Sequence, residues 1–391
     1  MLRLLTAGES HGPALIGTVE GLPSGLVIDV DAINRDLARR QIGYGASARM
    51  RIEHDSIEIL AGLIDGKTIG APVALRIENL DYKNWKGKQP ARQTIPRPGH
   101  ADLAGATKYA LADLRLVAER ASARETAMRV ACGALARQLL AKFDIQIGAY
   151  VLEIGGERAD ELEIPYAERF ARARNSEVAV YDETSAEKIR ARIRKVMEAH
   201  DTVGGVIEIV ALNVPVGLGS HVHWDRKLDG QLAQAVMSIH SVKGVEIGTA
   251  FENARKTGTQ VQDEILPAEA EKGVWAPNLS TDGERPIRVT RASNRAGGLE
   301  GGVTNGMPIV IRAALKPVST TLTPLRSVDL AGGQAALSEY QRSDLCHVPR
   351  ACVIGEAMVA WVLAEAMLEK FGGDSMSELA RRVNIWREQL R

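Results

Sequence analysis

Two short segments place a histidine where it can do chemistry. In Gly8-Glu9-Ser10-His11-Gly12 the imidazole lies between glycines just ahead of a strand, where the backbone can approach a ligand and the ring can exchange a proton near neutrality. Arg97-Pro98-Gly99-His100-Ala101-Asp102 repeats the theme, with Pro-Gly forcing a turn and His100 close to the start of a helix. A plain turn histidine, or a capping one, is the competing reading of each. A third candidate is Arg40. A helix over Asp31 to Gln41 sets Ile33 and Leu37 on a core-facing stripe with Arg40 at its next repeat, so Arg40, unlike Arg39, points along the buried face. A guanidinium there needs an anion, either a ligand or Asp36 four residues earlier.

Other candidates lie late in the chain. Between Asn294 and Gly306 the residues Gly297, Gly298, Gly301, Gly302 and Gly306 precede a strand, and backbone N–H groups in such a loop can cradle a phosphate or a planar ring. The segment lacks the Walker Lys-Ser/Thr and the Rossmann strand–loop–helix context, and plain hairpin glycines are the alternative. Lys316-Pro317-Val318-Ser319-Thr320-Thr321 offers a cation and three hydroxyls, and Arg342-Ser343-Asp344 puts a carboxylate beside an arginine ahead of a buried helix. A polar turn and a salt-bridged helix approach would look the same. His221-x-His223 with Asp225 has metal-ligand character, but no third strong cluster accompanies it and no metal is expected.

These groups need elements to position them. Stretches rich in β-branched residues read as strands at Ala14 to Val19, Leu26 to Val30, Ile57 to Leu60, Val73 to Ile77, Ile145 to Ile154, Val206 to Val214, Ile287 to Arg291 and Ile309 to Leu315. Helix starts of the Ser/Thr-x-x-Glu form occur at Thr184-Ser185-Ala186-Glu187, at Ser375-Met376-Ser377-Glu378 and at Ser122-Ala123-Arg124-Glu125. The last divides the segment Asp102 to Phe143. Its second helix carries Met128, Ala131, Leu135 and Leu139 as a core stripe, and the N–H groups at Ser122 to Glu125, flanked by Arg120 and Arg124, make an anion site. Val353 to Phe371 is apolar nearly all round and should be a central helix, whereas Leu379, Val383, Trp386 and Leu390 mark an amphipathic terminal one. Gly204-Gly205 and Gly301-Gly302, each leading toward a strand, hint faintly at two similar halves. The mixture is α+β rather than strict βαβ alternation.

Composition excludes several function classes. Of 391 residues 45% are hydrophobic, and 49 Lys+Arg balance 49 Asp+Glu, which argues against a bulk nucleic-acid or membrane-surface binder. Aromatics at 4% disfavour an RNA reader built on stacking. Cys132, Cys346 and Cys352 form no C-x-x-C pair and fit a reducing cytosol. Met1 to Ala7 is too short for a signal segment and Glu356 and Glu365 interrupt the most apolar stretch, so an unprocessed cytoplasmic protein is expected. A phosphate-ligand lyase or transferase using the anion site, and a non-catalytic nucleotide-binding or RNA-associated protein using the segments around Arg40 and Arg120, are the readings of these residues taken alone.

Taken in order, Gly8 to Gly12, Arg39-Arg40-Gln41 with Gly43-Tyr44-Gly45, Arg97 to Asp102, Arg120 to Glu125, Lys243-Gly244-Val245-Glu246, the Asn294 to Gly306 loop and Arg342-Ser343-Asp344 resemble the chorismate synthase family, from the first residues to about Ala366. The resemblance implies one domain over 1–391 with a C-terminal amphipathic helix at about 375–391. The implied fold is a β-α-β sandwich, with long central helices flanked by antiparallel sheets, in a homotetramer. It also implies a trans-1,4-elimination of phosphate from 5-enolpyruvylshikimate 3-phosphate that gives chorismate. That reaction requires reduced FMN without net oxidation, with NADPH as a candidate indirect reductant, and the flavin is reduced either by the protein itself or by an external flavin reductase. By motif, His11 would sit by the departing phosphate, His100 by the reduced flavin, and Asp344 would assist proton uptake at the flavin N5. Arg40 and Arg49 would clamp substrate or NADP. The flavin would draw on Arg120, Ala121, Ser122, His240, Ser241, Gly301, Lys316, Pro317, Val318, Ser319, Thr320 and Arg342. Two positions depart from the family pattern: Gly-Arg usually follows the Tyr of the Arg-Arg loop, but here Gly45 is followed by Ala46 and Ser47, and His240-Ser241 stands ahead of Lys243 where a Pro, Gln or Asn followed by Ala is usual.

Overall fold

The computed structural model describes residues 1–45, 54–88, 90–269, 273–276, 287–341 and 344–389. Two antiparallel sheets form its outer layers. The first runs β1-β2-β4-β3, from β1 (Arg3–Ala7), β2 (Ala14–Glu20), β3 (Ile57–Ala61) and β4 (Val73–Glu78). The second runs β8-β9-β7-β5-β6, from β5 (Gln146–Ile154), β6 (Glu157–Arg158), β7 (Gly205–Leu212), β8 (Val242–Ile247) and β9 (Ile309–Leu315). Alternation explains the first sheet's inner face: Val73, Leu75 and Ile77 are fully buried while Ala74 and Arg76 are less so.

The principal helices are α1 (Val30–Gln41), α2 (Asp102–Tyr109), α3 (Leu114–Arg120), α4 (Thr126–Ala141), α5 (Tyr166–Arg174), α6 (Glu183–Glu198), α7 (Leu228–Met237), α8 (Val348–Phe371) and α9 (Met376–Gln389). Small residues set the spacing of the layers. A Cβ on Gly17 of β2 would stand 2.5 Å from the Met128 sulfur, so α4 seats there on the first sheet. A Cβ on Gly133 would stand 2.6 Å from the Ala357 Cβ, where α4 crosses α8, and one on Gly355 would stand 2.5 Å from Ile209 Cδ1 on the second sheet. At interior packing density none of these contacts has room for a methyl group. The stack is therefore sheet, paired helices, sheet, as the resemblance implies. α8 has a mean hydropathy of 1.8 over its most apolar stretch, and 89% of that stretch is buried, so this helix is a core element. It starts at Val348 rather than Val353, with Pro349 in its first turn, where a missing N–H costs nothing.

Other boundaries differ from the sequence reading for local reasons. Leu26 to Val30 is not a strand, because the Asp29 side chain accepts a hydrogen bond from Ala32 N and begins α1 at Val30. Ala110, at φ 53°, breaks Asp102 to Arg120 into α2 and α3, in addition to the expected break at Ser122. Asp182, not Thr184, caps α6, and Ser185 instead accepts from Asp160 N. At α9 the Ser375 hydroxyl accepts from Glu378 N as expected, but the Glu378 carboxylate turns to Asp374 N. The strands following the two Gly-Gly pairs, β7 and β9, are direct neighbours in one sheet rather than equivalents in two halves.

Arg39 also departs from the expected outward position. Its guanidinium makes a two-pronged contact with Glu356 of α8, at 2.8 and 2.9 Å, and bonds Asp36. Arg137 of α4 joins the same carboxylates, and Ala149 N of β5 donates to Glu356 as well. A buried acid with this many donors links α1, both central helices and the second sheet. Asp36 is thereby committed to Arg39 and Arg137, and is not the partner of Arg40.

Candidate active site

The β1–β2 turn carries His11. Glu119, the penultimate residue of α3, accepts from His11 N at 2.8 Å and from the ring Nδ1 at 2.7 Å. An ionised carboxylate only accepts, so Nδ1 bears the proton and acid–base chemistry falls to Nε2. Burial raises the Glu119 carboxyl, but the hydrogen bonds and charge of His11, with Arg115, outweigh it and hold the acid below its usual range. Trp85 packs against the imidazole, with ring centroids 4.0 Å apart. Asn79 Nδ2 donates to the carbonyls of Ser10 and Gly12 and fixes the turn from below.

His100 is held in the same manner. Its Nδ1 lies 2.6 Å from Asp102 Oδ1, and Arg97 reaches both oxygens of that carboxylate at 2.7 and 2.9 Å. Burial alone would raise Asp102, yet Arg97 and His100 draw it well below the ordinary carboxylate range. The Pro98-Gly99 turn rests on the segment after β9: Ser319 Oγ donates to the Gly99 carbonyl, and Lys316 Nζ donates to Ser319 Oγ at 2.8 Å. Lys316 N in turn donates to the Ser241 carbonyl, which ties the turn between α7 and β8 to the same place. Burial and the nearby Lys243 lower the Lys316 ammonium.

The start of α4 differs from the expected open anion cradle. Among the described residues Ser122 Oγ accepts only from Arg124 N, while Glu125 bonds Thr6 Oγ1 and Arg129 instead of closing a capping box. Arg124 is buried, with both oxygens of Asp55 at 2.6 and 2.7 Å, and so does not flank an open site. Arg40 bonds Thr126 Oγ1 and the Ala123 carbonyl and lies 3.5 Å from Asp55, so its anionic partner is one that the helix pattern could not reveal. Arg120 reaches back over the β1–β2 turn to the carbonyls of Thr6 and Gly8. Arg129 continues the chain of contacts to Ser238, just before the His240-Ser241 turn.

Two further imidazoles face this region. His240 Nδ1 is buried without a hydrogen-bond partner among the described residues, and Ser241 beside it adopts φ 69°, uncommon for a residue with a side chain. Burial lowers the His240 ring, and the charges of Arg129 and Arg40 push the same way against Glu125. His347, at the N-terminus of α8, was not singled out in the sequence. Neither of its ring nitrogens has a partner among the described residues. Burial, aided by Arg350, Lys316 and His240 against Asp344, lowers it to about 4. Asp344 itself pairs with Arg350, whose guanidinium also reaches the Gln41 carbonyl.

The depressed His347 value has a stability consequence. From an unfolded value of 6.5 down to about 4, the unfolded chain takes up a proton that the folded chain refuses. Stability therefore falls as pH drops through that window, by about 3 kcal/mol in all. Urea unfolding of wild type and His347→Phe at pH 7 and pH about 4.5 should show a smaller acid loss in the variant; equal losses would refute this.

Some expected site residues lie elsewhere. Gly301 is at the tip of a hairpin tied by Leu228 N to the N-terminal end of α7, whereas Ser241 follows the C-terminal end of that helix. A helix of 10 residues, about 15 Å, stands between them. The N–H groups of Arg295, Ala296, Gly297 and Gly298 are spent on Asp263 and Asn294, so the glycines there serve close packing rather than a cradle: a Cβ on Gly297 would meet Gly248 N at 2.4 Å. His223 bonds Asp225 on the exposed surface. Arg49 and Arg342, with Ala46, Ser47 and Ser343, lie outside the described residues. The two carboxylates that fix the histidines are the main residues the motifs did not assign a role. Asp102 was visible inside its motif, but Glu119 is 108 positions from His11 and left no local signal.

Two imidazoles, each held by a carboxylate, mark a candidate site for an enzyme that binds anions and moves protons, set on a helix-centred sandwich. Comparison with known proteins narrows that class. The sequence pattern of the chorismate synthase family matches residues 2–368. Chorismate synthase from Geobacter sulfurreducens is 50% identical over 400 residues, covering 100% of both chains, and that from Desulforudis audaxviator is 50% identical, covering 100% of this chain and 98% of its own. A crystal structure of chorismate synthase superposes with a TM-score of 0.79 at 40% identity, covering 100% of this chain and 98% of the other. The chain belongs to the chorismate synthase family.

Proposed function

We propose that the β1–β2 turn, the 97–102 loop, the His240-Ser241 turn and the 316–320 segment enclose a pocket for reduced FMN and 5-enolpyruvylshikimate 3-phosphate together. As a family member the chain is a carbon–oxygen lyase that eliminates phosphate to give chorismate, the last common step of the shikimate pathway. The observation that carries the residue assignment is the matched pinning of His11 and His100 at Nδ1. A carboxylate at Nδ1 orients each ring and favours the proton on that nitrogen.

When bound, reduced FMN supplies electron density that is returned within the cycle, so no net oxidation occurs. Arg120, Ala121, Ser122, His240, Ser241, Lys316, Pro317, Val318, Ser319, Thr320 and Arg342 would hold it, and the buried, unpartnered His240 Nδ1 fits a polar ligand there. His11 Nε2 delivers a proton or hydrogen bond to the phosphate oxygen as the C–O bond breaks. His100 would lie by the flavin and stabilise its anionic reduced form. Asp344, steadied by Arg350, is the carboxylate that helps carry away the proton lost from ring carbon six. Arg40 and Arg49 meet the substrate's anionic groups or those of NADP.

The chain acts as one domain in the cytoplasm, a reading that the three free, buried cysteines support. NADPH reduces flavin indirectly, through an external reductase. The assembly is a homotetramer, and the separation of Gly301 from Ser241 along α7 fits a site that Gly301 completes in a neighbouring copy.

An anaerobic assay with the substrate and chemically reduced FMN, following chorismate absorbance, tests the reading. Turnover is expected with reduced flavin and not with oxidised flavin, and NADPH should replace the chemical reductant only when a flavin reductase is added. Sedimentation of the same preparation should give the mass of about four chains. Flavin binding without turnover would overturn the residue assignment, with Ala46 and His240-Ser241 the first positions to revert to the family pattern.

A further inference from the structure

His347 has no part in the assignment above, yet it is an unusual residue to find at the head of the central helix. Both ring nitrogens are buried, and neither meets a hydrogen-bond partner among the described residues. A neutral imidazole carries one donor and one acceptor, and leaving either unmet in a folded interior is unfavourable. Such a group in a native fold calls for an explanation. Its surroundings supply one. Asp344 and Arg350 face it from its own segment and helix, Lys316 from the segment after β9, and His240 from the turn after α7. His240 has an unmet buried nitrogen too, Nδ1. Two imidazoles with unmet buried nitrogens, from distant parts of the chain, therefore act on one another, and the turn that carries His240 is tied to the 316–320 segment by the bond from Lys316 N to the Ser241 carbonyl. Solvated surface histidines and apolar core positions share neither feature.

We propose that His347 is a ligand-contacting residue of this pocket, giving and receiving hydrogen bonds at the polar edge of the bound flavin, with His240 as its companion. The inference rests on the flavin reading above and extends it to a residue outside the motifs. A flavin's pyrimidine edge alternates N–H and carbonyl groups, which matches what a neutral imidazole offers. Neutrality is maintained by the setting, since burial and the cations Arg350 and Lys316 oppose protonation more than Asp344 favours it. Acid that protonates His347 would remove its acceptor and so weaken the contact.

The test is FMN affinity, read by quenching of flavin fluorescence, together with the flavin absorption band, in wild type, His347→Phe and His347→Gln. Phe keeps the ring's bulk and removes both nitrogens, and should weaken FMN binding about tenfold or more and shift the bound flavin's absorption. Gln keeps a donor and an acceptor and should recover most of the affinity. Phe binding FMN within about twofold of wild type would overturn the proposal while leaving the flavin site in place. Failure of wild type to bind FMN would instead overturn the flavin reading itself. Should the Phe variant not fold, nitrogen NMR of histidine-labelled wild type decides. Ring signals absent from the Gln variant should move when FMN is added, and signals that stay put would overturn the contact.

Discussion

His11→Ala lowers turnover by about a hundredfold to ten-thousandfold, the range for loss of a positioned acid–base group, and His100→Ala falls in the same range. Steady-state rates with saturating reduced FMN measure this, with circular dichroism and thermal melting as controls for folding. The fold should survive, because both rings are partly exposed and each hangs from a loop rather than the core. The carboxylates separate orientation from chemistry. Glu119→Gln retains an acceptor for the ring and should cost less than His11→Ala, and Asp102→Asn should likewise cost less than His100→Ala. Near-wild-type rates in both alanine variants would remove the histidines from the mechanism.

The largest effect on stability is expected from Glu356→Gln, at about 3–5 kcal/mol. Glu356 is 1% exposed, and the substitution leaves Arg39 and Arg137 facing a neutral amide in the middle of the sandwich. Its titration supports this. Burial raises the carboxyl, but Arg39, Arg137 and Arg174 draw it below its usual value of 4.5. A lowered carboxylate stabilises the fold above the unfolded pKa, and that contribution is lost as pH falls through the folded one. Glu356→Gln should therefore flatten the part of the acid unfolding curve that lies below pH 4.5. Urea midpoints at neutral and acid pH test both statements, and a variant within about 1 kcal/mol of wild type would contradict them.

Local punctuation made part of the site legible. Gly8, Gly12 and the Pro98-Gly99 pair announced turns, and a histidine in each turn is visible without knowledge of the fold. Arg40 was legible as a buried cation through the spacing of Ile33 and Leu37, both of which are fully buried. Its partners were not, because Asp55 and Thr126 come from other elements and helical spacing carries no information about them. Arg39 shows the same limit: a position on the outer edge of α1 is inner once α8 is placed beside it. The first glycines of the glycine loop carry a different lesson. Gly297 is needed because Gly248 approaches it, and a sequence does not distinguish a glycine that admits another backbone from one that admits a ligand. His347 escaped notice because one histidine in an apolar run looks like core until its unmet nitrogens are seen.

The position of α8 along the chain has a consequence for how the protein is made. Every strand of both sheets, β1 through β9, precedes it, yet it stands between them. A ribosome delivers the sheets first, with Ile207 and Ile209 of β7 and the Ala357-facing side of α4 still uncovered. At about 5–20 residues per second, synthesis from Leu315 to Phe371 lasts several seconds, long enough for uncovered apolar faces on neighbouring nascent chains to meet. The yield of folded protein is therefore expected to respond to chaperone holding during that interval. A pulse-labelled translation with and without such holding, scored for soluble full-length chain, would show whether it does.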